Sequence, residues 1–566
     1  MLTLFLVAAL VVVLVMVYRE LLAWPENFPP GPFRLPVWGS YWWLLLRDRR
    51  RIPEALRRLS ADYRTSTLGL FLGPLPAVYV TDEASIRQLL SRPEFQGRQT
   101  TVLSDTRTFG RNLETNFCVK EKSVFDLASA GVSLANEPAW RRHRRFSLSQ
   151  LRDLGFGRRF QPLELETAAE VSDLLDLMAG RRHDQGVVPT PSLAVHPSPP
   201  RISALQCLTR VQHQSEMSAM QSVRRPCDGA VLFPDATYRC FAAVTWSMFA
   251  GTRPGRASDR QLLLLGRRGR QNVLATDGTG NIIIQTPWLR HLSPGQFGLA
   301  DFVQGHNALI DYVKQTFDEQ LATYSEDHTR HFLDVCIKEM KKDAADQGLP
   351  FNIEQVIATG TDLLLPSLTV TTTALAETVR CLVLHPEVQT KVHLEIDSVV
   401  GRGRLPTLDD RPNLPYFEAT IREALRRKTA VPLSVAHAST TEATLNGYTL
   451  PKGTILLPGL EAFHMNPEVW GDPENFRPER FLDETGKLLP DRTLPFGGGR
   501  RECFGKTYAR NSLFLFLGGM LQSFTLQQPQ SEKPLTLDGL CEYGIVTTPD
   551  SFWINAVQRP EVPRKN

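Results

Sequence analysis

Of the eight cysteines in this chain, one stands where a sulfur is presented instead of packed. Cys503 closes the run Phe496-Gly497-Gly498-Gly499-Arg500-Arg501-Glu502-Cys503-Phe504-Gly505. Glycines before and after it let the backbone turn tightly and approach a flat ligand with no Cβ in the way. Backbone N–H groups in such a loop, and the N-terminus of a helix after it, stabilise a thiolate. Residues 506–524 read as that helix, apolar at Leu513, Phe514, Leu517, Met520, Leu521 and Phe524. With no second Cys or His nearby in sequence, one thiolate cannot complete a zinc or iron–sulfur site. It can serve a haem iron, whose equatorial ligands come from the porphyrin.

The cysteine run matches F-x-x-G-x-R-x-C-x-G at Phe496, Gly499, Arg501, Cys503 and Gly505, and so resembles the cytochrome P450 family. Companion motifs follow the family's order. Trp140 and Arg144 are four apart, hence on one helix face, and both can donate to an anion; W-x-x-x-R is where the family places donors to a haem propionate. Glu423 and Arg426 form an i, i+3 acid–base pair. Phe476-Arg477-Pro478-Glu479-Arg480-Phe481 resembles the family's F-x-P-x-R-F, which implies that Arg480 completes a buried Glu–Arg–Arg brace. His437 stands where related animal enzymes keep a propionate-binding histidine. The resemblance therefore assigns haem b to Cys503 as axial thiolate, with Phe496 shielding the sulfur and Trp140, Arg144, His437 and Arg501 at the propionates.

One motif departs from the pattern. The family carries Ala-Gly-x-Glu/Asp-Thr-Thr in its long helix, and this chain has Pro366-Ser367-Leu368-Thr369-Val370-Thr371. Thr369 replaces the acid and Val370 replaces the catalytic threonine, and valine can neither donate nor accept a proton. Thr369 or Thr371 is then the residue expected to handle protons. Pro366 removes a helical N–H and is expected to kink the helix.

The resemblance implies a large, mostly helical body to hold these side chains, and the composition allows a large core. The 566 residues are 42% apolar and 22% charged, and a net charge of +4 does not point to nucleic acid. No cysteine pair has zinc-like or redox-like spacing, which fits a reducing, cytosol-facing compartment. Met1 to Tyr18 contains no charged residue, about the ~17 residues that suffice to cross a bilayer, and Arg19, Arg34, Arg47 and Arg49–Arg51 follow it. The expected organisation is a membrane anchor at 1–24, a proline-rich hinge and basic juxtamembrane segment at 25–52, and a catalytic domain at 53–558. Thr67–Leu72 and Ala77–Val80 read as a hairpin, and Asp82 as the cap of a helix through Leu90. Residues 99–133 show little periodicity and read as an irregular loop on the substrate side. Residues 187–228, rich in Pro, Ser and Gln, read as a disordered insertion or retained intron sequence.

Taken together, the resemblance implies a mainly α fold with a small β region, one catalytic domain behind an N-terminal transmembrane helix. It implies a monooxygenase of the endoplasmic reticulum membrane, with its catalytic domain in the cytosol, acting on an apolar small molecule. Electrons would come from NADPH through NADPH–cytochrome P450 reductase, with cytochrome b5 as a further donor, docking near Arg141, Arg142, Lys506 and Arg510. Two alternatives stay open at this point: a haem-thiolate isomerase or dehydratase that needs no proton relay, and a catalytically impaired haem or lipid binder.

Overall fold

The computed structural model describes residues 24–35, 38–98, 131–181, 223–255, 258–275, 299–343, 351–537 and 541–560, with residues 11, 12, 14, 15, 18 and 279. Most of the expected anchor, residues 99–130 and residues 182–222 lie outside the described residues. Helices dominate, as their apolar periodicity predicts. They are α1 (Tyr41–Asp48), α2 (Ile52–Asp62), α3 (Glu83–Ser91), α4 (Ala139–Leu151), α5 (Gln161–Ala179), α6 (Asp235–Ala250) and α7 (Asp259–Leu274). After them come α8 (Leu299–Ala322), α9 (Phe332–Asp343), α10 (Ile353–Pro366), α11 (Thr372–Leu384), α12 (Pro386–Val399), α13 (Pro415–Arg427) and α14 (Lys506–Ser523). The main core joins α5, α6, α11, α12, α13 and α14 through residues such as Val171, Phe241, Val379, Ile396, Phe417 and Phe514.

The β region is small. β1 (Thr67–Leu72) and β2 (Leu75–Val80) form the expected hairpin, with Thr67 opposite Val80. β7 (Ile455–Pro458) adds parallel to β2 and β4 (His437–Ala438) antiparallel to β7, which carries His437 to the sheet's far edge. The Asp82 side chain accepts from the Ser85 amide at 2.8 Å, capping α3. Asn446 and Gly447, with φ of 52° and 81°, make the tight turn between β5 (Ala443–Leu445) and β6 (Tyr448–Leu450). A second sheet orders β3 (Val231–Phe233), β11 (Phe552–Gln558) and β8 (Phe524–Gln527). A hairpin of β9 (Cys541–Tyr543) and β10 (Thr547–Pro549) lies beside α11.

The end of the expected insertion belongs to the fold, which corrects the boundary drawn from composition. Arg224 bridges Val231, the Leu232 amide donates to the Val223 carbonyl at 2.8 Å, and the Arg225 guanidinium lies 4.3 Å from the Trp553 ring. A six-residue stretch carries no periodicity, so its pairing to β3 was invisible in the sequence. The Arg224 guanidinium also reaches 2.6 Å from where a Cβ on Gly180 would stand, so the two ends of the segment are close. Deleting residues 187–222, and keeping Val223–Asp228, is expected to leave haem content within about twofold of the full chain, since a short link closes such a gap at little entropic cost. A pyridine haemochrome assay checks this, and loss of haem would show the segment to be structural.

Glu423 and Arg426 lie on α13 and are both fully buried. Arg426 donates twice to the Glu423 carboxylate, at 2.8 Å each, and Arg480 adds a third bond at 3.0 Å. Arg426 also reaches the carbonyls of His464 at 2.7 Å and Pro473 at 2.9 Å. His464 carries the brace onward: its Nδ1 pairs with the Thr429 hydroxyl at 2.7 Å and its Nε2 accepts from the Leu494 amide at 2.9 Å. Nε2 accepts only in the neutral ring, and burial, with Arg426 beside it, holds the His464 pKa down at about 3. Leu494 opens the cysteine loop, so these residues support the site without entering it.

Candidate active site

The cysteine loop is shaped by two glycines in the left-handed region, Gly497 at φ 69° and Gly499 at φ 65°. Gly499 must also be small: a Cβ there would stand 1.9 Å from the Leu90 carbonyl oxygen at the end of α3. The Cys503 amide donates to the Phe496 carbonyl at 3.0 Å, closing the loop, and α14 starts three residues on. Cys503 is exposed by surface area. Yet burial pushes its thiol pKa up, opposed by the Gly505 amide and the Arg144 charge. A sulfur that is both accessible and deep faces an internal cleft. Phe496 packs on the main core with the Arg510 guanidinium 6.0 Å from its ring.

Beside the loop, cations gather without acids. The Arg501 guanidinium lies 3.8 Å from the centre of the Trp140 ring, and that of Arg144 at 5.8 Å. Arg501 donates to the carbonyls of Gln96 at 3.0 Å and Ala135 at 2.9 Å, and Arg144 to that of Glu502 at 2.6 Å. The structure adds Arg98, which donates to the carbonyls of Val435 and Ala436 at 2.9 Å each. None of the three arginines contacts a carboxylate among the described residues. Burial first, then mutual repulsion, lowers Arg501 to about 8 and Arg98 to about 9. His437 is buried, with its Nδ1–H donating to the Phe95 carbonyl at 2.9 Å, and burial with Arg98 nearby pushes its pKa well down. Two buried donors of this cluster have no partner among the described residues, Trp140 Nε1 and Arg501 Nη1. An unpaired buried donor is costly, and uncompensated buried charge more so, so this cluster is built for an anion.

Thus the structure brings Trp140, Arg144, His437 and Arg501 together and adds Arg98, which the sequence reading missed. The only trace of Arg98 in the sequence is a lone arginine after Gly97, indistinguishable there from a solvated one. Of the expected docking cations, Arg141, Lys506 and Arg510 pair with Glu137, Glu502 and Asp491 at 2.6, 2.7 and 2.5 Å, and Arg142 lies 4.0 Å from Glu339. The patch is therefore less positive than a count of its arginines suggests.

Opposite α14 runs the long helix. α10 ends at Pro366, a π-helical turn occupies Ser367–Thr371, and α11 continues from Thr372. The proline's missing N–H breaks the ladder and the wider turn absorbs the break. From Thr361 to Leu382 every residue is buried except Leu365, Pro366 and Val370. The helix contacts α14 where Tyr508 meets Ser367, so open Pro366 and open Cys503 flank one crossing. Thr369 is buried, its hydroxyl donating to the Leu365 carbonyl at 2.7 Å, with its methyl group packed toward Gly269 of α7. The Thr371 hydroxyl reaches the Pro366 carbonyl at a longer 3.4 Å. Asp362, one turn earlier, accepts from the amides of Val132 and Ser133 at 2.6 and 3.1 Å.

The family model for cytochrome P450 matches residues 276–556. Farnesoate epoxidase of Bombyx mori is 30% identical over 519 residues, 91% of this chain and 91% of that protein. The chain belongs to the cytochrome P450 family. Cytochrome P450 2L1 of Panulirus argus is 29% identical over 521 residues, 90% of both chains. Cytochrome P450 2E1 of Oryctolagus cuniculus is 28% identical over 512 residues, 88% of this chain and 87% of that one. A cytochrome P450 holds haem through a cysteine thiolate and takes its electrons from a reductase.

The residues present fit that group. Cys503 is the accessible thiol of the cleft, and no cluster of three or more His, Cys, Asp or Glu among the described residues offers a metal another home. The unpartnered Trp140 and Arg501 donors and the acid-free arginines match a ligand that brings its own carboxylates. Among the described residues one helix, Ile353–Leu384, is apolar enough to cross a membrane, but 83% of its most apolar window is buried in the protein. It is the core helix and not an anchor.

Proposed function

We propose that this chain is a microsomal monooxygenase that inserts one oxygen atom of O2 into a small apolar substrate, using NADPH electrons delivered by a flavoprotein reductase. The observation that carries the reading is an accessible thiol at Cys503 with the partly buried Arg144 charge beside it, next to the crossing of the long helix where Pro366 and Val370 are open. Bound there, haem supplies the activation of dioxygen. Cys503 would hold its iron, and Trp140, Arg98, Arg144, Arg501 and His437 would take its carboxylates. His437 already donates Nδ1–H to Phe95, so it bonds a carboxylate through Nε2 only by gaining a proton. Val11, Val12, Leu14, Val15 and Tyr18 are all exposed large apolar residues, which supports an anchor in the endoplasmic reticulum membrane. The apolar, partly open Pro366 and Val370 support an apolar substrate, and farnesoate, after the silkworm relative, is the first compound to screen. A reduced carbon-monoxide difference spectrum tests the haem. Product formed only with NADPH and reductase tests the reaction.

A second reading is favoured by one observation: the wall facing the cleft presents valine where the family keeps a hydroxyl. A haem-thiolate isomerase or dehydratase needs no proton from that wall. Turnover of a peroxide substrate without NADPH would select it over the monooxygenase.

Proton handling follows from the same geometry. The Thr369 hydroxyl is occupied by the Leu365 carbonyl at 2.7 Å, while the Thr371 hydroxyl reaches the Pro366 carbonyl only at 3.4 Å, so Thr371 is the less firmly held of the two. Val370→Thr would place a hydroxyl on the open wall, nearly isosteric with valine and with the Pro366 carbonyl four residues back as acceptor. Losing a positioned acid–base group costs a factor of ~100 to ~10,000, part of which solvent recovers. Product formed per NADPH consumed is therefore expected to rise by about 3- to 10-fold in Val370→Thr, with less peroxide released. A wild type already tightly coupled, and not improved, would assign the proton to Thr371 or to the substrate.

A further inference from the structure

Three hydroxyls meet where α14 crosses the break in the long helix. Tyr508, in the first turn of α14 and five residues after Cys503, places its OH 2.9 Å from Thr245 Oγ1 of α6. Thr245 Oγ1 lies 2.6 Å from the hydroxyl of Ser367, the first residue of the π-helical turn. Both Thr245 and Ser367 also reach the Phe241 carbonyl, at 2.8 and 3.2 Å. All three residues are buried. The Tyr508 ring is stacked on Phe156 at 5.0 Å with planes 6° apart, and Phe156 on Phe504, the neighbour of Cys503, at 5.8 Å. The phenol is thus aimed from both sides. Ser367 sits where the family pattern has glycine, which could make none of these bonds.

A π-helical turn matters here because it re-phases a helix. Each α-helical residue advances the side-chain direction by about 100°, and a π turn inserts roughly one residue, so everything beyond it faces a different way. Of the three consecutive residues Thr369, Val370 and Thr371, only Val370 is partly exposed, and both threonines are buried. Pro366 removes one bond of the α-helical ladder, so the phase of the turn depends on what packs against it as well as on its own wider bonds. The hydroxyl cluster bears on the first residue of that turn.

We propose that Tyr508, Ser367 and Thr245 are positioning residues that hold the π-helical turn in the register presenting Val370, and neither flanking threonine, to the cleft. The cluster ties the helix that follows Cys503 to the wall opposite it. The inference concerns the register of the helix and stands whatever reaction the cleft performs.

The test reads that register directly in the full-length holoenzyme. Single Thr369→Cys, Val370→Cys and Thr371→Cys variants are treated with a small methanethiosulfonate reagent, and labelling at each position is followed by peptide mass mapping. Cysteine at 370 is expected to react at least about 10-fold faster than at 369 or 371, which are labelled only through local opening. With Tyr508→Phe or Ser367→Ala added, the preference is expected to fall below about 3-fold, while Ser367→Thr, which keeps the hydroxyl, preserves it. Retention of the thiolate-type carbon-monoxide spectrum shows that each variant is folded around haem. Should Tyr508→Phe lose haem, Ser367→Ala and Thr245→Val decide the matter. Equal labelling at all three positions in the parent background overturns the register. An unchanged preference in Ser367→Ala overturns the role of the cluster.

Discussion

Cys503→Ser is expected to remove the thiolate-type Soret band of the reduced carbon-monoxide complex and to lower turnover by more than about 100-fold, the scale of losing a group that acts directly in the chemistry. The substitution is nearly isosteric and leaves the backbone alone, so the Cys503 amide bond to Phe496 and the two glycine turns should persist. What changes is the ligand. A thiolate pushes electron density to iron, whereas a serine hydroxyl stays protonated near neutral pH and does not. The buried cations are untouched, so much of the haem should remain bound and the spectral loss can be separated from loss of haem. Survival of the thiolate spectrum in the serine protein would show that the ligand lies elsewhere.

Arg426→Ala is expected to destabilise the protein by roughly 3–5 kcal/mol, the cost of breaking a buried ion pair by removing one partner. Glu423 would keep Arg480 and the Arg477 amide, at 3.0 and 2.9 Å, but lose its bidentate partner in a site with no access to water. The carbonyls of His464 and Pro473 would lose their donor as well. Because His464 holds the Leu494 amide, loosening should reach the Cys503 loop, and haem should be released at lower urea than in the parent. Arg426→Lys keeps the charge but not the planar fork, and should fall between the two. Urea titration followed by far-UV circular dichroism and by the Soret band gives both quantities. A loss below about 1 kcal/mol would mean that the brace is not a net source of stability.

Several features were legible because they depend on local spacing. A four-residue interval places Trp140 and Arg144 on one side of α4, and a three-residue interval pairs Glu423 with Arg426. Asp82 caps α3 by reaching an amide three residues on, and Asn446-Gly447 supplies the two positive φ angles that its turn requires. The mainly helical body and its small β region are what the family resemblance implies, and periodicity marks single elements such as α14 and the β1–β2 hairpin. Arg98 was not legible, because a buried arginine bonded only to carbonyls leaves no pattern along the chain. Nor was the attachment of Val223–Asp228, whose partners lie in β3 and near the C-terminus.

The sequence by itself determined which chemistry is available: one sulfur in a glycine-rich loop, donors for an anion, and Thr369 and Val370 where the family pattern has an acid and a threonine. These are properties of residue type and of separation along a covalent chain, and they hold before folding. Only the tertiary structure decided where those groups face. Whether Cys503 is open or packed, and whether Arg98 and Arg501 share a site with His437, depends on segments hundreds of residues apart. So does the partial exposure of Val370 between two buried threonines, because which side of a helix is covered depends on the elements packed against it.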